Sequence, residues 1–253
     1  TADALDYFTR HQLEDGSFTR RGYHPGAQFL QALWAMWTHT GDELYLDAIE
    51  RGLRYFYDNP DEHEYDLLLG VWGVEVLMNL HHVRPQPWLE DFTWKLVDPL
   101  AASQILPGAD VPNQWIGGFY QIPKYEQNAP GALSMYCTEA IIDAYLLAKR
   151  IGDTERAERY RNRALLGARY LLELQYRLGD TDIYVERDLI LGGVPFGLER
   201  PALRVDITRH LINTYLKIVT YLDLEDYPGS WEQPWEPSFP PSGGDMGSTL
   251  PMD

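Results

Sequence analysis

Polar residues repeated at helical intervals, in a chain rich in apolar residues, are where its chemistry is to be sought. Asp206, His210, Asn213 and Lys217 follow one another at intervals of four, three and four, which lines one face of a helix, and Arg204 lies just ahead. On such a strip Asp206 can orient or charge His210, and His210 can act as general acid or base. The plainer alternative is a solvated face or a ladder of helix ion pairs. Glu139 and Asp143 stand four apart within an otherwise apolar segment, where a carboxylate must be paired, hydrogen-bonded or protonated. A raised pKa would suit Glu139 to a general-acid role. A structural hydrogen bond to a neighbouring helix is the alternative, and Glu75, in the same situation in another apolar segment, favours it.

Aromatic and charged residues interleave between the helical segments. Trp115, Phe119, Tyr120, Tyr125, Tyr184 and Phe196 stand beside Arg20, Arg21, Lys124, Glu126, Glu186, Arg187, Glu199 and Arg200. Aromatic faces next to hydrogen-bonding groups suit sugar rings, which offer apolar C–H faces and hydroxyl rims. On this reading Tyr23, Trp115, Tyr120 and Tyr125 are platforms and Arg200 or Arg204 an anchor for a carboxylated sugar. Loop packing and ordinary surface charge account for the same residues without a ligand.

Bulk properties narrow the field. The 253 residues carry a formal net charge of -17, so a polyphosphate partner meets a repulsive field and nucleic acid is disfavoured. Hydrophobic residues make up 45% and aromatics 13%, enough for a sizeable core. One cysteine, Cys137, leaves no intrachain disulfide framework and no Cys-rich metal cluster. No apolar run reaches the roughly 18 residues of a membrane span, and residues 1–12 lack the basic start and apolar stretch of a signal peptide. The expectation is a soluble protein with no membrane partner, no cofactor and no bound metal, with the cytoplasm favoured in an otherwise open choice of compartment.

The elements that must position these residues alternate between two kinds. Residues 25–38, 65–80, 130–148 and 203–222 are apolar nearly all round and are expected to be buried on both sides. Residues 43–57, 88–105 and 154–176 are amphipathic and are expected to cover the outside. Residues 1–11 read as the end of one more outer helix. The buried segments open alike, as PGAQFLQAL, PGALSMYCTEA and RPALRVDITRH. Two outer segments also open alike, Thr40-Gly41-Asp42 and Ile151-Gly152-Asp153, with the aspartates placed as N-caps. Inner-to-outer links are short, whereas residues 12–24, 106–129 and 177–200 form long outer-to-inner links on one shared face. Long loops of this kind mark a working surface. Each carries a glycine–aromatic signature, ending at Phe18, Phe119 and Phe196, that reads as a tight turn dropping a ring onto the bundle. Residues 1–227 are thus one domain, and residues 228–253, with six prolines, a tail.

Alternating inner and outer helices, the hairpin start TGDELYLDA and the pattern Phe8-x-x-x-Gln12-x-x-x-Gly16-x-Phe18 resemble the α/α toroids. Two branches fit: the six-hairpin glycan-processing enzymes, and the terpenoid cyclase and prenyltransferase toroids. The resemblance covers about 220 residues and implies an all-α, (α/α) toroid of about four hairpins. That falls short of a closed six-hairpin ring, so the expected ring is open, or completed by upstream sequence or a second copy as a homo-oligomer. The leading expectation is a carbohydrate-active enzyme, hydrolase, lyase or epimerase, that takes an oligosaccharide or other small molecule and uses Asp206, His210 and Glu139 for proton transfer. A terpenoid-type toroid and a non-catalytic binding or scaffold protein are the alternatives. A prenyltransferase-type zinc site would draw on Cys137, Asp206 and His210, but Met135 stands where the resemblance calls for an aspartate.

Overall fold

The computed structural model describes residues 7, 9–18, 27–60, 69–120, 130–177, 187–197, 200–203 and 205–222. All of them fall within the first of the chain's two units, Thr1–Leu222. The expected tail, residues 228–253, lies outside the described residues. So do Tyr23, Tyr125 and Arg204, as well as the side chains of Asp206 and Arg200.

The described residues are mostly helical. After a helical stretch that ends at Arg10, α1 spans Ala27–Thr40 and α2 Glu43–Asp58. A π-helical turn, Leu69–Gly73, runs directly into α3, Val74–Val83, and α4 spans Pro87–Ala102. Then come α5, Leu133–Ile151, α6, Thr154–Leu174, the short α7, Arg187–Ile190, and α8, Val205–Tyr221. As expected, aspartates start the outer helices α2 and α6. The Asp42 carboxylate accepts from Leu44 N at 2.9 Å and the Asp153 carboxylate from Arg156 N at 3.0 Å, which satisfies amides that the first turn leaves unpaired.

Packing follows the two kinds of helix. The apolar helices neighbour one another in sequence order, α1 against the π turn and α3, α3 against α5, and α5 against α8. Each amphipathic helix backs its own inner helix: α2 lies on α1, α4 on α3 and α6 on α5. All three also reach the next inner helix, α2 touching α3, α4 touching α5 and α6 touching α8. Leu30, Leu33, Leu77, Ile141 and Leu165 are wholly removed from solvent, and each such side chain contributes about 1.5–3 kcal/mol.

One segment departs from the sequence expectation. The motif Arg-Pro-Ala-Leu at residues 200–203 reads like the opening of an inner helix, yet it forms a strand, β2 (Arg200–Leu203), antiparallel to β1 (Pro195–Gly197). Pro201 holds the residue before it away from helical geometry, and the partner strand centres on the β-prone Phe196. The Phe196 carbonyl in turn accepts from Ala132 N at 2.9 Å at the approach to α5.

The glycine–aromatic signatures prove to be one clamp used repeatedly. The Gln12 amide donates to Gly16 O at 2.8 Å and to Ala48 O on α2 at 3.0 Å. The Gln104 amide donates to Gly117 O at 3.1 Å and to Arg163 O on α6 at 3.0 Å. Gly16 (φ +91°) and Gly117 (φ +94°) sit so close to the Arg51 and Leu166 carbonyls that a side chain would overlap them. Phe18 and Phe119 are buried beyond. Ala48, Arg51, Gly52 and Tyr55 meet the first loop at the same intervals as Arg163, Leu166, Gly167 and Tyr170 meet the second or its surroundings. The third loop keeps the glutamine contact, Gln175 to Gly192 O at 2.6 Å.

Candidate functional site

Chemistry-bearing groups gather between the inner helices. On α5, Glu139 and Asp143 are one turn apart on the same face and are 5% and 1% exposed. On α8, His210 and Lys217 are two turns apart on the face that meets α5. His210 Nδ1 lies 3.0 Å from Glu139 Oε2. The Lys217 ammonium lies 2.9 and 2.8 Å from the two oxygens of Asp143 and 3.4 Å from Glu139 Oε1. From α3, Glu75 brings Oε1 to 4.0 Å from the same ammonium, and Gln31 of α1 donates to Glu75 Oε2 at 2.7 Å. The network therefore draws on all four inner helices.

Electrostatics sorts these groups into roles. Burial works to raise the Glu139 carboxyl, but the His210 hydrogen bond and the Lys217 charge outweigh it and hold Glu139 below its usual range. An ionised carboxylate only accepts, so Nδ1 of His210 must carry the proton, which makes Nε2 the basic nitrogen of the neutral ring. Burial is also the largest influence on Asp143. Lys217 opposes it while Glu75 and Glu139 reinforce it, and the carboxyl is pushed up to about 7. Lys217 is held firmly charged, since burial works against its charge but three carboxylates face it. The Lys217–Asp143 contact on its own would lower Asp143. The net rise reflects complete burial and the excess of carboxylates over cations, which together favour one retained proton.

Aromatic rings frame His210. Trp72 stacks on it with ring centroids 5.9 Å apart and planes at 25°, and Tyr136 meets it edge-on at 4.5 Å. Trp72 belongs to the π-helical turn, a geometry found often at functional sites. Its Nε1 is buried and, among the described residues, has no hydrogen-bond partner. Solvent reaches the network chiefly through Glu75 and Lys217, whose side chains are 36% and 17% exposed, with 10% left at His210.

The structure thus brings together Glu139 and His210 of the sequence candidates. The carboxylate seen on His210 comes from the neighbouring helix, and the side chain of Asp206, to which the sequence pointed, lies outside the described residues. Trp115 lies in a 3-10 turn, Asn113–Trp115, against the outer helix α6, and Tyr120 follows Phe119, whose N–H is held by Ser134 Oγ at 3.0 Å. Neither joins the network. Sequence reasoning passed over Trp72, Tyr136 and Gln31, and the signal for Trp72 is the Gly-Val-Trp-Gly stretch within an apolar helical run. Elsewhere, a cleft of about 320 Å³ is lined by Asp47, Glu50, Arg51, Arg54, Gln86 and Trp88. It lies on the outer helices and the α3–α4 link and shares no residue with the network.

Among the described residues no group of three or more His, Cys, Asp or Glu is arranged to hold a metal ion, and no helix is long and apolar enough to cross a membrane. Compared with family models, curated proteins and solved structures, the chain matches none.

Proposed function

We propose that this chain is a carbohydrate-active enzyme of α/α-toroid type, acting on a glycan or uronate by acid–base catalysis at the Glu139–His210 pair. The observation that carries the reading is the 3.0 Å contact between a buried, ionised Glu139 and His210 Nδ1. A carboxylate in that place fixes the tautomer, stabilises the imidazolium once formed, and leaves Nε2 to take a proton from the substrate and return it. Asp143, close to half-protonated at neutral pH and linked through Lys217, is a second reservoir for that proton. The order of packing, inner helices in a row with outer helices behind them, supports the toroid.

The charge at the centre counts against the terpenoid alternative, in which an uncharged aromatic cavity is wanted. A zinc-type variant would call for an aspartate two residues ahead of Cys137, where Met135 stands.

The test is a purified chain assayed against neutral and uronate oligosaccharides, first by thermal shift and then by turnover. His210→Ala and Glu139→Gln are expected to lower kcat by about 10²-fold or more while the fold survives. Unchanged turnover in either variant, or no thermal shift with any sugar, overturns the proposal.

A further inference from the structure

The network that the preceding reading makes catalytic also says which sugars suit it, and the inference rests on that reading. Two further observations bear on the choice. The first is the balance of charge. Among the described residues three carboxylates, Glu75, Glu139 and Asp143, surround a single ammonium, with Lys217 Nζ 4.0, 3.4 and 2.8 Å away from them. A uronate would bring a fourth carboxylate to a site already short of cations, in a chain of net charge -17. A neutral sugar brings no such penalty.

The second is the indole of Trp72. It is 9% exposed, and its Nε1–H is buried without an acceptor among the described residues. Indole nitrogen can only donate, so the missing partner is an oxygen. The ring lies against His210, and Tyr136 closes on both, at 5.8 Å from Trp72 and 4.5 Å from His210. Gly70 and Gly73 flank Val71 and Trp72 within the π-helical turn that carries them. A hydroxyl group, which both accepts and donates, can take the indole proton as acceptor and present its own proton to the basic nitrogen of His210.

We propose that Trp72 is a substrate-contact residue whose indole N–H binds a hydroxyl oxygen of a neutral glycan beside His210, and that the carboxylate excess around Lys217 selects neutral sugars over uronates.

The full chain is tested by calorimetric titration with maltohexaose, cellohexaose, xylohexaose, mannohexaose and hexagalacturonate, in parallel with Trp72→Phe, which keeps an aromatic ring and removes the donor. Melting temperature checks that the variant folds. Because that substitution is buried, the wild-type protein labelled with ¹⁵N-tryptophan gives a second readout, the indole ¹H–¹⁵N peak of Trp72, assigned by its absence from the variant. The expected result is that at least one neutral hexasaccharide binds more tightly than hexagalacturonate and moves that peak downfield. Trp72→Phe should bind the neutral sugar about tenfold more weakly, the loss of one hydrogen bond. Glu75→Gln, at the exposed edge of the network, should narrow the gap between neutral and uronate ligands. Tighter binding of hexagalacturonate overturns the selectivity and leaves the proposed function standing. Neutral binding with an unmoved peak and undiminished affinity in a folded Trp72→Phe overturns the role of Trp72. Binding of no sugar overturns the proposed function, and this inference with it.

Discussion

Lys217 spans from α8 to α5 to bring its ammonium within 2.9 and 2.8 Å of both oxygens of Asp143, a carboxylate that is 1% exposed. With two further carboxylates nearby, this lysine is the principal counter-ion of the inner network. Lys217→Met should therefore destabilise the fold by about 3 kcal/mol, because it strands buried negative charge. Adding Asp143→Asn to that variant should recover at least half of the loss, since the amide needs no counter-ion. Urea denaturation of the three proteins measures both effects. If Lys217→Met costs less than about 0.5 kcal/mol, the pair contributes no more than a surface contact would.

Asp143 also sets a pH dependence whose sign can be worked out. Its carboxyl titrates at about 7 in the folded chain against about 3.9 when unfolded, so between those values the folded state binds more protons. Its stabilising contribution is complete below the unfolded value and is lost as pH rises through the folded one. Glu139 acts in the opposite sense: held low in the fold, it stabilises above its unfolded value, near 4.3, and that contribution is lost as pH falls through the folded one. Denaturation midpoints for the wild type should fall between pH 4.5 and 7.5, with a contribution from Asp143 of at most about 1.4 kcal/mol per pH unit. Asp143→Asn should flatten that slope. An identical slope in both proteins would show that the carboxylate is not retaining a proton.

The clamp glycines make a prediction with an internal control. Gly117 and Gly152 both have positive φ, +94° and +79°, but a Cβ at Gly117 meets the Leu166 carbonyl whereas one at Gly152 meets nothing within 4 Å. Gly152→Ala carries the backbone cost alone, about 1 kcal/mol. Gly117→Ala adds a collision with main chain that cannot move aside, for about 3 kcal/mol in all. Thermal melts rank the two, and equal losses would mean that the loop rides free of α6.

Much of this arrangement could be read from the sequence, because it is written in local signals. The apolar and amphipathic periods set the helices to within a few residues, and Asp42 and Asp153 announced the starts of α2 and α6. The site was legible only in part. Glu139 and Asp143 stood out as carboxylates in apolar surroundings, and His210 and Lys217 as members of a polar strip. Their pairing joins residues more than 70 positions apart, and a helical period says nothing about which face of one helix meets which face of another. The local rule therefore favoured Asp206 as the partner of His210, four residues away, over Glu139. Trp72 was hidden for a related reason: in an all-apolar segment an indole looks like core filling, and only its unpaired nitrogen sets it apart. Residues 200–203 misled because their likeness to a helix opening lay in sequence alone, while the competing strand partner at residues 195–197 was a tertiary circumstance.

The glutamine clamp has a bearing on how such a chain holds together. Gln12 and Gln104 each bond to their own loop and to the outer helix that comes after it, so the energy sits at a seam rather than within a hairpin. Coupling of that kind is between nearest neighbours, as in a linear array, where a break at one seam weakens the adjoining unit before distant ones. It also sets the grain for change in length. A hairpin with its glutamine, its glycine loop and a receiving helix carries both halves of the joint, so the array can gain or lose whole hairpins without new contacts having to be devised.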